Sequence, residues 1–73
     1  MKTAREMFEE LGFTASDCQT EIWYRTSLLS IAFFKKSKCV ELIDELNRYE
    51  LDIPLIKSIN KQCEELGWFE LES

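Results

Sequence analysis

Apolar side chains recur at helical spacing at both ends of the chain. The first segment has one apolar face at positions i, i+3, i+4 and i+7, formed by Ala4, Met7, Phe8 and Leu11. Thr3 and Glu6 stand three residues apart, as in a capping box that starts a helix. Gly12 follows the last turn and predicts a left-handed helix end, after which Phe13 folds back onto the helix.

A second helix is predicted near the end of the chain by the same reasoning. Asp52 is a capping residue, and Pro54 suits the first turn. The buried face is expected to carry Leu55 or Ile56, then Ile59, Cys63 and Leu66. Gly67 and Trp68 repeat the ending of the first helix, so that "FEELGF" and "CEELGW" are interpreted as two similar helix terminators rather than a repeat or a paired active site.

The middle of the chain changes to the pattern of strands. Glu21–Thr26 alternates β-branched and aromatic residues, and Leu28–Phe34 is apolar on both faces, as in a central strand. A short loop, KKSK, then leads to a third strand over Cys39–Ile43. Thr14–Thr20 is polar and is predicted to be a loop.

The third strand has an alternative, because the segment 39–50 also fits a helix. Val40, Ile43 and Leu46 recur at roughly helical spacing, and Glu and Asp are common around them. We favour the strand, because two strands alone make a poor sheet. The predicted fold is therefore α+β with the order α-β-β-β-α, a three-stranded antiparallel meander with two helices packed on it.

Composition supports one small globular domain spanning residues 1–73. The chain is 45% hydrophobic and 32% charged, which argues against disorder. It has no apolar run of the roughly 20 residues that cross a bilayer, and its first residues lack the pattern of a signal peptide. We therefore expect a cytoplasmic protein without a membrane partner.

The two ends, KTAREMFEELGF and IKSINKQCEELGW, resemble small uncharacterised proteins encoded by phages and prophages of low-GC Gram-positive bacteria. The resemblance covers both helical ends, whereas the middle is similar in layout alone. It implies a helix, an aromatic meander and a closing helix, in a phage accessory protein. It implies no biochemical activity and no functional residue.

Cysteine chemistry and metal binding are not indicated. Cys18, Cys39 and Cys63 are odd in number and far apart, and the chain contains no His. Disulfide frameworks favour an even count, and zinc sites favour close Cys pairs or Cys with His. We expect three reduced thiols, with Cys63 and Cys39 as small core residues.

An enzyme is also not indicated, and neither a cofactor nor a small-molecule substrate is expected. Without His, the usual activator of a Ser or Cys nucleophile is missing. The paired acids of the EELG phrases project about 100° apart on a helix, so they do not converge on one substrate. Both glycines lie at helix ends where the dipole repels phosphate.

Protein interaction is the preferred function, through a partner protein or a second copy of the chain. If both helices pack on one face of the meander, either Leu29, Ile31 and Phe33 or Leu28, Ala32 and Phe34 lie on an uncovered face. The alternative is that the helices splay or that the tail over 68–73 covers that face. The candidate contact residues are Trp23, Arg25, Leu29, Ile31, Phe33, Lys35, Lys36 and Lys38.

The alternative function is a module that binds single-stranded nucleic acid. Aromatic residues on strands beside a basic hairpin can stack bases and hold phosphates. Residues 25–38 contain four basic residues and no acidic one, whereas the whole chain has a net charge of −5. The net charge argues against this function, because phosphate contacts require Lys and Arg.

Overall fold

The computed structural model of the chain describes residues 1–46 and 50–70, and it is an α+β fold with one more strand than predicted. Two helices and four strands follow one another along the chain: α1 Ala4–Glu10, β1 Thr14–Asp17, β2 Glu21–Arg25, β3 Leu29–Phe34, β4 Cys39–Asp44 and α2 Ile53–Glu65. The strands form one antiparallel meander in the order β1-β2-β3-β4.

The additional strand is β1, in a segment that was wrongly predicted to be a loop. It pairs with β2 from Thr14 opposite Arg25 to Asp17 opposite Ile22. Of its four residues only Ala15 packs against the core. β1 therefore gave no apolar signal, because it is held mainly by its backbone pairing with β2.

The prediction that β4 is a strand rather than a helix is confirmed. Cys39 pairs with Phe34, and the register continues to Asp44 opposite Leu29. Exposed and half-buried residues alternate along β4, which is the period of a strand with one face toward a core. Val40 and Leu42 are the apolar residues that pack against the core from this strand.

Both helices lie on one face of the sheet and enclose the core. Ala4 N–H on α1 donates a hydrogen bond of 2.8 Å to a carboxylate oxygen of Glu65 at the end of α2, so the helices run antiparallel. The Phe8 ring stacks on Tyr24, with the ring centroids 3.9 Å apart. The buried core consists of Phe8, Phe13, Ile22, Tyr24, Ile31, Phe33, Leu55 and Cys63.

The two helices end in the same way, as the repeated phrase predicted. Gly12 and Gly67 have φ of +96° and +76°. The Phe13 N–H donates to the Phe8 carbonyl and the Trp68 N–H to the Cys63 carbonyl, each at 3.0 Å. Together with the glycine N–H bonds to the residues three positions earlier, this is the Schellman arrangement at both helix ends.

The helix starts also follow the sequence signals. The Thr3 hydroxyl accepts from the Glu6 N–H at 3.2 Å, and the Glu6 carboxylate accepts from the Thr3 N–H at 2.9 Å, which completes the capping box. Asp52 accepts from the Leu55 N–H at the start of α2. Neither helix of the described ranges combines the length and hydropathy needed to cross a membrane.

Candidate functional site: the open face of the sheet

The face of the sheet turned away from the helices is the candidate site, and we call it the open face. Ile31 and Phe33 point to the helices and are fully buried, so the residues between them on β3 and their partners on β2 and β4 point the other way. The open face is centred on Trp23, Arg25, Ala32, Phe34, Glu41 and Ile43.

Trp23 lies at the middle of this face and is held from three sides. Its indole N–H donates to a carboxylate oxygen of Glu21 at 2.6 Å. The guanidinium of Arg25 lies 4.4 Å from the ring centroid, within the range of a cation–π contact. The Phe34 ring meets it edge-on, with centroids 6.3 Å apart. The indole is thus oriented while still half-exposed.

The apolar side chains of the open face lie on three strands, β2, β3 and β4. Ala32, opposite Trp23 in the register, has no exposed surface, so larger neighbouring side chains shield it. Phe34 is half-buried, and Ile43 on β4 is 44% exposed. An aromatic pair and an aliphatic side chain therefore remain accessible on a face that no described element covers.

The charges of the open face are mixed. On β2, Glu21 and Arg25 lie on either side of Trp23, and on β4 the acidic Glu41 lies opposite Ala32. Such a pattern suits a surface with polar and charged groups of both signs better than one that follows a phosphate backbone.

The structure brings together some of the predicted contact residues and separates others. Trp23 and Arg25 are adjacent on the open face, as expected. The proposal that Leu29, Ile31 and Phe33 lie on an uncovered face is wrong, because the register aligns them with the core side of β2 and the helices cover that side. The other set named from the sequence, represented by Ala32 and Phe34, faces outward.

The predicted basic hairpin is only partly available. The Lys35 ammonium group lies 3.1 Å from a carboxylate oxygen of Asp17 and 2.7 Å from the Cys18 carbonyl, so it fastens the β1–β2 turn. Lys36 and Lys38 are exposed in the β3–β4 loop, where Lys38 has a φ of +58°.

The three cysteines do not form a common site. Cys63 is buried as predicted, and burial raises the pKa of its thiol. Cys39 is exposed, contrary to the prediction, because its place opposite Phe34 turns it to the open face. Hydrogen bonds from Thr20 lower the pKa of the exposed Cys18 thiol. Among the described residues no group of three or more His, Cys, Asp or Glu could hold a metal ion.

Sequence reasoning missed a polar contact in the core beneath the open face. The Tyr24 hydroxyl donates to the side-chain oxygen of Gln62, and both residues are buried. Burial, with a smaller contribution from the charge of Glu65, raises the pKa of Tyr24 to about 12. Gln62 lies at i+7 from Leu55 on the buried side of α2, which was the one signal that could have revealed it.

Comparison with protein-family models, curated proteins and solved structures found no match for this chain.

Proposed function

We propose that this chain is a non-catalytic accessory protein of phage type that works in the cytoplasm by binding a protein through the open face. The observation that supports this is the one-sided covering of the sheet: both helices pack on one face, while Trp23, Phe34 and Ile43 remain accessible on the other. Accessible apolar side chains around an oriented aromatic residue, with polar and charged groups beside them, are typical of protein contact surfaces.

Within this proposal Trp23 is the anchor. Tryptophan is enriched among the residues that dominate binding energy, and here its neighbours already hold the ring in place. A side chain that is ordered before binding loses less conformational entropy when the partner arrives. Glu21, Arg25 and Glu41 would set the orientation of the partner through charge.

The test is capture from a lysate of a low-GC Gram-positive host on the immobilised protein, followed by mass spectrometry. Wild type is compared with Trp23→Thr, which places a β-branched residue that suits a strand at this position, and with Ile53→Thr as the matched control. Ile53 is 63% exposed at the start of α2, on the helix side of the molecule. Both variants are first checked for an unchanged far-UV circular dichroism spectrum.

We expect a host protein that wild type and Ile53→Thr retain and that Trp23→Thr loses. Capture that is equal for all three chains would contradict the open face as the contact surface, and so would the absence of any specific protein.

Binding of single-stranded nucleic acid is the alternative, favoured by the exposed Lys36 and Lys38 near Phe34. Tryptophan fluorescence is titrated with single-stranded DNA at low salt, in wild type and in Trp23→Phe. The chain has two tryptophans, so the variant isolates the signal of Trp68. Quenching that is present in wild type and absent in Trp23→Phe would support this alternative, while no quenching in wild type would remove it.

A further inference from the structure

The two edges of the sheet differ in length and chemistry. β1 is four residues long and almost entirely polar, whereas β4 is six residues long and carries Val40, Leu42 and Ile43. Within residues 1–46 and 50–70, β4 pairs with β3 on one side and with no other strand. A long edge strand with apolar side chains is a template on which a further strand can pair.

The backbone groups that face this edge follow from the existing hydrogen bonds. The Glu45 N–H donates to the Leu28 carbonyl at 3.0 Å, on the β3 side. Because bonding direction alternates along an antiparallel strand, Cys39, Glu41 and Ile43 also bond toward β3. The N–H and C=O groups of Val40, Leu42 and Asp44 therefore point to the outer edge.

We infer that two copies of the chain associate by antiparallel pairing of their β4 edges, about a two-fold axis that passes beside Glu41. This axis is perpendicular to the sheet and keeps each face on its own side. It places Val40 opposite Leu42 of the second copy on the helix side, and both are apolar. It brings Lys38, in the loop just before β4, near Asp44 of the second copy.

Charge complementarity selects the antiparallel direction and this register. β4 is preceded by the exposed Lys36 and Lys38 and ends in Asp44, followed by Glu45. An antiparallel neighbour brings the basic end of each copy against the acidic end of the other. A shift of the axis to Leu42 would place Val40 opposite Asp44 and lose the charged match, and it would leave one apolar pair, Leu42 with Leu42 of the second copy, in place of two.

The flank of α2 on this side of the molecule is also apolar. Ser58 and Glu65 face α1, and helical spacing places Ile56 and Cys63 on the opposite flank. Leu51, Ile56 and Phe69 line a groove on that flank and are 43%, 43% and 53% exposed. Since α1 packs beside β1, this flank lies toward the β4 edge, where the second copy adds its own apolar side chains.

Pairing of the two β4 edges also determines where the two open faces lie. The two four-stranded sheets join into one, and both open faces lie on the same side of it. The dimer would therefore present two Trp23 anchors to a partner. This self-association uses an edge rather than the open face, so it stands independently of the proposed function.

Disulfide trapping tests the register. Glu41→Cys and, as the matched control, Ile43→Cys are made in a chain that carries Cys18→Ser and Cys39→Ser, with the buried Cys63 kept. Glu41 and its symmetry mate are directly opposite, with Cα atoms about 4.5 Å apart, which a disulfide can span. Two copies of position 43 are about 14 Å apart along the strands, beyond the reach of a disulfide.

With oxidised glutathione, at a protein concentration at which sedimentation equilibrium detects the wild-type dimer, we expect covalent dimer from Glu41→Cys and at least roughly fivefold less from Ile43→Cys, because only the first pair meets the distance requirement. Equal trapping of both variants, trapping of Ile43→Cys alone, or no trapping of either would each overturn the proposed pairing.

Sedimentation equilibrium on the uncrosslinked protein gives a second measurement. Glu41→Gln removes the repulsion between two carboxylates at the axis, so we expect dimerisation to tighten by about two- to fivefold. Trp23→Thr should leave dimerisation unchanged, which separates this inference from the function of the open face. A wild-type chain that stays monomeric up to millimolar concentration would overturn the inference.

Discussion

The two faces of the sheet are built from neighbouring residues yet differ in burial, because the helices cover only one of them. Phe33 has no exposed surface and packs under the helices, with Tyr24 and Trp68 among its ring neighbours, whereas Phe34 is half-buried beside Trp23 on the open face. The covered face stabilises the fold through burial. The open face holds an oriented aromatic residue among mixed charges and is available for contact. Whether an apolar residue of this sheet stabilises the core therefore depends on the face to which its strand directs the side chain.

The largest difference between the faces should be seen by truncating the adjacent phenylalanines. Phe33→Ala removes a fully buried ring, and we expect a loss of about 3–5 kcal/mol in the free energy of unfolding. Phe34→Ala should cost less than half as much, since its ring is already partly in water. Urea unfolding followed by circular dichroism measures both. Equal losses would show that the two faces are not distinguished by burial.

The adjacent Trp23 and Tyr24 should differ in how they affect the stability of the protein at high pH. The pKa of Tyr24 is raised from 10.0 to about 12, because the folded state disfavours its phenolate. The stability that this group contributes is therefore fully present below pH 10 and is lost as pH rises toward 12.

Tyr24→Phe should flatten that alkaline loss, while Trp23→Phe should leave it unchanged. At pH 7, Tyr24→Phe should also cost about 1–3 kcal/mol, because the Gln62 oxygen is left buried without a donor. Thermal unfolding of wild type and both variants between pH 8 and 11.5 provides the measurement. If Tyr24→Phe still loses stability at high pH, another titrating group is responsible for that loss.

Substitution of the glycine that ends α1 should destabilise the fold through backbone strain rather than through steric crowding. No atom lies within 4 Å of where a side chain at Gly12 would begin, so its φ of +96° is the whole obstacle. We expect Gly12→Val to cost roughly 1–2 kcal/mol. Gly12→Asn should cost less, since Asn tolerates positive φ. Equal melting temperatures for wild type and Gly12→Val would remove this explanation of the repeated phrase.

The smallest effect is expected at the rim of the open face. Arg25→Met removes the cation over the Trp23 ring but keeps a long side chain, so we expect a loss of about 0.5–1 kcal/mol. The emission of Trp23 should change as the charge is removed. A loss as large as that of Phe33→Ala would mean that the open face, too, is needed for folding.

The local features of this fold could be predicted from the sequence, whereas a feature that depends on long-range pairing could not. Both helices, their caps and their glycine ends were predictable, because Thr3, Glu6, Asp52 and Gly12 act on backbone groups a few residues away. β4 was predictable from its alternation. β1 was not, because its stability comes from pairing with β2, and a strand that buries little apolar surface leaves no pattern in its own residues.

For the candidate site, too, local features were predictable from the sequence and features that depend on packing were not. Trp23 and Arg25 were identifiable as neighbours on one side of β2, because successive side chains of a strand point to opposite faces of the sheet. The sequence by itself determined the helices, three of the strands and that alternation. Only the tertiary structure decided which side of β3 the helices cover, since its residues are apolar on both sides. The packing of α1 and α2 buried Ile31 and Phe33 and left Phe34 outside, because the two helices pack side by side on the same face of the sheet.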